Sequence, residues 1–132
     1  MTSAAIVAVG WATVESDRAA REFAPLLLPG TAFTGATPSE HLGAWCRIGR
    51  VRPGAAEADI VILLEPFTEG RLTATLARHD EGWRATWVAA DESAEPALSV
   101  ERPGPLGLER IVLGGPVSGP HRLVVTAATL SP

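Results

Sequence analysis

A chain of 132 residues, 46% of them hydrophobic, is long enough to bury one compact core. Eleven basic against fifteen acidic residues leave a net charge of −4, without the concentrated basic face of a nucleic-acid binder. Every basic residue is arginine and Lys, Tyr, Asn and Gln are absent, which excludes Schiff-base lysine chemistry and tyrosine acids or nucleophiles.

The single Cys46 excludes an internal disulfide and fits a reducing compartment. The N-terminal apolar stretch lacks the basic lead of a signal peptide, and no apolar run approaches the roughly 20 residues of a membrane span. These features predict one cytoplasmic domain over residues 1–132, with neither nucleic acid nor membrane as partner.

In chain order, residues 5–14 are small and β-branched and predict a buried strand. Ser16 suits an N-cap, Asp17 a first turn, and 18–24 a helix closed by Pro25, Pro29 and Gly30. A strand is predicted over 31–37, a turn over 38–40, and a second strand over 41–50. A connection around Pro53-Gly54 leads to a strand over 59–65. Thr68 is placed to cap a helix carrying Leu72 and Leu76 on one face. Strand returns over 83–90. Residues 91–105 are too broken for a long helix, with 97–100 extended. Strands over 107–114 and 121–128 are separated by the turn sequences Gly114-Gly115-Pro116 and Ser118-Gly119-Pro120.

The halves rhyme: Val9-Gly-Trp-Ala-Thr-Val-Glu-Ser pairs with Ala85-Thr-Trp-Val-Ala-Ala-Asp-Glu, which aligns Trp11 with Trp87. The strand-rich mixed pattern predicts an α+β fold. The run Asp59 to Val88, with Leu64-Glu65-Pro66 ending a strand and Glu81-Gly82 opening the next, resembles a module of the glyoxalase/bleomycin-resistance/dioxygenase (vicinal oxygen chelate, VOC) superfamily. That resemblance implies two βαβββ modules, about 1–80 and 81–132, forming a cup-shaped mixed sheet, the second helix shortened or lost.

The resemblance also implies where metal ligands would stand. On the opening strand, Val7-Ala8-Val9-Gly10-Trp11-Ala12-Thr13 puts Ala8 where the superfamily usually has His. Ile62 stands where it has Glu or Gln, and Ala85 or Arg84, depending on register, where it has a second His. The fourth, acidic, position falls within 122–126, which contains no carboxylate. Several convergent ligands are needed to hold a divalent cation, so no metal and no other cofactor is expected.

His41, His79 and His121 lack metal-ligand spacing, and no serine sits in a Gly-x-Ser-x-Gly elbow. His79 lies in a charged turn. Regular strand alternation sets His41 and Cys46 on opposite faces and favours a buried structural cysteine. Trp11 falls on the face opposite Ala8, against the helix; Trp87, by the repeat, does the same; Trp45 and Trp83 are less constrained and suit the wall of an apolar ligand pocket. Ala8, Gly10 and Ala12 share the cup face and leave space there. Arg84, placed in that space, would fork onto a carboxylate or phenolate; otherwise it pairs with an acid such as Glu81 or reaches solvent.

The expected ligand-binding residues are therefore Arg84, Gly10, Ala8, Ile62, Trp45 and Trp83, with no catalytic residue assigned. The expected function is metal-independent binding of an apolar, aromatic or anionic small organic molecule, as in bleomycin-resistance-type members, by a homodimer. The alternative is a metal-independent isomerase, cyclase or lyase on a polyketide-like substrate, with His41 or a cleft acid as base. A third class is a dimerisation module without ligand. A perturbed carboxylate in the cup favours the enzyme, an apolar cup favours binding, and a filled cup favours the third class.

Overall fold

The computed structural model describes residues 5–67, 72–73, 81–89, 98–113 and 121–125. Eight strands form one sheet: β1 (Ala5–Ala12), β2 (Thr37–Ser39), β3 (Ala44–Arg50), β4 (Ile60–Pro66), β5 (Gly82–Ala89), β6 (Arg102–Gly104), β7 (Gly107–Ile111) and β8 (His121–Val125). Their spatial order is β2-β3-β4-β1-β5-β8-β7-β6. The β1–β4 and β5–β8 pairs are parallel and the remaining neighbours antiparallel. With one described helix, α1 (Ser16–Phe23), this is the expected α+β cup built from a mixed sheet.

The edges of the sheet curl toward each other. Glu40 N–H donates to Pro103 O (3.4 Å), and Ser39 Oγ–H of β2 reaches Glu109 Oε2 of β7 (2.6 Å). Curling gives each strand a concave and a convex side. The concave core gathers Ala8, Ala12, Cys46, Ile62, Leu64, Ala85, Trp87, Ile111, Leu123 and Val125. The convex core gathers Val9, Val61, Leu63 and Ala19, with Trp11 and Phe23 against them, and buries the inner stripe of α1.

Helix α1 is short and held from outside. Glu15 is its N-cap but supplies no side-chain cap bond, so the predicted cap at Ser16 is corrected. The Ser16 N–H is satisfied instead by Glu65 Oε1 from the end of β4 (2.9 Å), which ties the helix to the sheet. Pro25 enters a 3-10 turn, Ala24–Leu26, that closes the helix as predicted.

Other boundaries move. The strand predicted over 31–37 is displaced onto β2, whose Pro38 sits opposite Trp45 on an edge strand, where a missing N–H costs little. Residues 40–43 are a turn and β3 begins at Ala44, so His41 lies outside the strand. The short β6 was hidden in the broken 91–105 segment, while Leu98 is bridged to Val112 as the extended 97–100 prediction requires. Leu72 and Thr73 are helical; Thr68, Leu76, His79, the second-module helix region and the turns at 114–116 and 118–120 lie outside the described residues.

Candidate functional site

Register arithmetic relates the two halves of the sheet. Ala8 pairs with Trp87 and Gly10 with Ala85, so β1 and β5 are related by 77 positions (85 − 8 and 87 − 10). The sequence rhyme of Trp11 with Trp87 uses 76. A one-residue slip reverses the face of every side chain, and Trp87 is accordingly corrected from the helix side to the concave side, where it is fully buried. The same relation makes Ala85 the counterpart of Ala8. Arg84 occupies the bulge that lies opposite the Gly10–Trp11 step.

Carried outward, the relation matches Ile62 with Leu123 through their pairings with Gly10 and Trp87. Ile48, opposite Ile62, then matches Ile111, opposite Leu123. Two residues earlier on those strands stand Cys46 and Glu109. Ser39 and Gly104 correspond in the same way, through Ala44 and Gly107. Sequence reasoning passed over Glu109 altogether.

Glu109 is 0% exposed on the concave side, amid hydrocarbon. Trp87 Nε1–H donates to its Oε1 (2.9 Å) and the Ser39 hydroxyl to its Oε2 (2.6 Å). Gly104 lies against the carboxylate so closely that a Cβ there would overlap it. Burial pushes the Glu109 carboxyl up to about 7, against the two hydrogen bonds that favour its charged form. Both donors are neutral, and no described salt bridge includes Glu109. Cys46, its counterpart, is also fully buried; desolvation and then the charge of Glu109 push its thiol far above the ordinary range, so it is an inert filler.

The expected site residues separate. Ala8, Gly10, Ile62 and Ala85 share the concave face, as their register requires. The space expected over Gly10 is filled: a Cβ there would lie 2.8 Å from both Leu64 Cδ1 and Trp87 Cζ3. Trp83 is on the convex side, edge-on to Trp11 (5.1 Å) and Phe23 (5.8 Å), and 43% exposed. Trp45 is 46% exposed on the face opposite Cys46, against Phe67 (5.1 Å). Trp87 is the aromatic residue facing inward. The Arg84 guanidinium lies over Gly82, opposite Ala12 at one end of the cup, and donates to Trp83 O (3.2 Å). Glu81, named as one alternative partner for Arg84, takes Arg18 Nη2 (2.6 Å) and Trp11 Nε1 (3.0 Å).

His41 and Ser99 do approach, Nε2 to Oγ at 3.1 Å, at the seam between the sheet edges. Nε2 is also 2.8 Å from Val100 O, a group that only accepts, so Nε2 carries the proton. It cannot take the serine proton. Ser99 Oγ accepts from Ile111 N–H (2.9 Å), and the pair is a strap across the seam rather than a nucleophile and base.

The inward positions of the four central strands offer hydrocarbon where the superfamily resemblance implies metal ligands: Ala8, Ile62, Ala85, and Leu123 with Val125. Among the described residues no three His, Cys, Asp or Glu side chains converge. Glu109 is a single carboxylate with both oxygens engaged. These residues do not fit a divalent cation.

Neither a family model nor a curated protein matches the chain. Solved structures do. Methylmalonyl-CoA epimerase from Mycobacterium tuberculosis aligns over 96% of this chain and 91% of its own, with 17% identity and a TM-score of 0.71. A Streptomyces coelicolor methylmalonyl-CoA epimerase in complex with 2-nitronate-propionyl-CoA aligns over 99% and 100%, with 19% identity and a TM-score of 0.72. A hypothetical protein from Bacillus halodurans aligns over 95% of each chain, with 13% identity and a TM-score of 0.66. The chain shares the fold of these proteins.

Proposed function

We propose that this is a metal-independent small-molecule-binding protein whose curled sheet receives an apolar, aromatic-bodied metabolite, with Glu109 as the ionisable contact. The observation that carries the reading is the placement of Glu109: a carboxyl at 0% exposure, fixed by Ser39 and Trp87, amid an apolar lining. Burying a carboxyl without a counter-charge is costly, and such groups concentrate at functional sites. Gly10, Ala8 and Ile62 form the floor beneath the Trp87 ring. Arg84 stands at the end of the cup and serves the anionic or phenolic end of a ligand that has one. Intrinsic fluorescence tests the reading. A planar apolar ligand should perturb the emission of wild type but not of a Trp87→Phe variant, whereas an unchanged signal across a panel of aromatic metabolites contradicts a ligand cup.

A second reading, a metal-independent isomerase, cyclase or lyase, draws on the same residue. A carboxyl poised near 7 can both take and return a proton at neutral pH. Abstraction of an acidic C–H proton would leave the electron pair in the substrate's carbonyl system and the proton on Glu109, which then returns a proton to carbon or oxygen. The solved neighbours include an epimerase in complex with methylmalonyl-CoA, so that thioester is the first substrate to offer. Incorporation of deuterium from heavy water, lost in Glu109→Gln, is the expected sign of an enzyme; none leaves binding alone.

Homodimerisation belongs to the same proposal, because half-exposed Trp45 and Trp83 leave aromatic surface for a second copy to cover. Light scattering at micromolar concentration should give twice the chain mass.

A further inference from the structure

We infer that the ligand of this cup carries a cationic head, an ammonium on an apolar body, seated against Glu109; the inference rests on reading the cup as a ligand site. Among the described residues the charge of an ionised Glu109 is unmet. When ionised, Glu109 has about four lone-pair directions, of which Trp87 Nε1–H and the Ser39 hydroxyl fill two. Both are neutral donors. In a hydrocarbon lining a carboxylate is strongly favoured by a cation, and by little else.

Among the described residues the surroundings supply none. From β2 the contact is Ser39, from β3 Cys46, from β5 Trp87 and from β6 Gly104. Arg102, the register partner of Glu109, is exposed at the rim. His41 directs its Nε2–H to Val100 O at the seam. The described ion pairs all lie elsewhere, joining Arg18, Arg47 and Arg110 to other acids. Trp87 orients the carboxylate through its N–H, at the edge of the indole. A carboxylic ligand would instead bring two like charges together, so it binds only when one is protonated.

The two states of Glu109 make the inference quantitative. With its carboxyl near 7, the ionised fraction rises about tenfold between pH 6 and pH 8. A permanently protonated amine gains affinity by about that factor over this range, and its binding below 7 releases a proton from Glu109. A neutral isostere gains nothing.

The experiment uses three probes of matched shape, 2-phenylethylamine, 2-phenylethanol and phenylacetate, titrated into the intact chain by fluorescence and calorimetry at pH 6, 7 and 8. The expected result is amine binding that strengthens about tenfold from pH 6 to 8, alcohol binding that is flat, and phenylacetate binding that weakens. In Glu109→Gln the amine loses at least about tenfold and its pH dependence, while a urea midpoint at pH 5 close to wild type reports an intact fold. Gln preserves the fold because its oxygen can accept from Trp87 while the Ser39 hydroxyl turns to accept from its amide. Alcohol or phenylacetate binding as tightly as the amine at pH 8 overturns the cationic head but leaves the cup a binding site. Failure of all three probes to bind overturns both.

Discussion

The two halves of the sheet share one backbone plan and fill it with opposite chemistry. At corresponding concave positions the first half has Gly10, Ile62 and Cys46, and the second has Trp87, Leu123 and Glu109. The first half is a smooth apolar floor; the second contributes the bulk and the charge. The two are complementary, since Gly10 lacks the Cβ that would collide with Trp87, and Ser39 of the first half supplies the hydroxyl that holds Glu109 of the second. A symmetric pair of modules cannot do this. The matched positions give the concave face one polar pole.

The largest test of that complementarity is removal of the bulk. Trp87→Ala empties the concave core and releases the Glu109 Oε1 partner, and should cost about 3–5 kcal/mol in urea unfolding. Next comes the charge. Glu109 is raised from 4.5 to about 7, so its contribution is fully present below 4.5 and is lost as pH rises through 7. The loss corresponds to about 3 kcal/mol between pH 5 and pH 8, and Glu109→Gln should flatten that part of the profile.

Filling the floor is expected to matter less. Gly10→Leu drives a side chain into Leu64 and Trp87 and should cost about 1–3 kcal/mol. Combined with Trp87→Leu it should cost less than the two changes summed, because the second relieves the collision made by the first. The smallest effect belongs to the convex side. Desolvation acts upward on Glu81, but the Arg18 guanidinium and the Trp11 indole outweigh it and hold the carboxyl below its ordinary value. Its contribution is present above 4.5 and lost as pH falls through the lowered value, opposite in sign to Glu109. Glu81→Gln should shift the urea midpoint slightly at pH 7 and not at all in strong acid.

Much of this was legible in the chain. Val7 to Thr13 alternates small and bulky residues, and Ile60 to Leu64 is an apolar run ending at Glu65-Pro66; both elements form with the predicted facing. The second half was harder because Trp87 invites alignment with Trp11, and one position of slip carried its ring to the wrong side. Glu109 left a faint signal: it stands two residues from Ile111 and therefore on the same face. Leu108 and Arg110 on the other face blur the alternation, and the burial of the carboxylate depends on Ser39, which closes over it from the far edge. That contact joins residues 70 apart and depends on the curl of the whole sheet. Counting leaves Arg84 and Ala85 as alternatives for a related reason, since a bulge opposite Gly10–Trp11 interrupts the alternation.

Titration of the buried Glu109 carboxyl tests most directly whether the concave face keeps it for a ligand. Carbon-13 NMR of the side-chain carboxyls, with Glu109→Gln providing the assignment, should give Glu109 a midpoint of about 7 in the free protein. Saturating 2-phenylethylamine should lower that midpoint, since the ammonium favours the charged form. A midpoint near the ordinary 4.5 that the amine leaves unmoved would contradict the account.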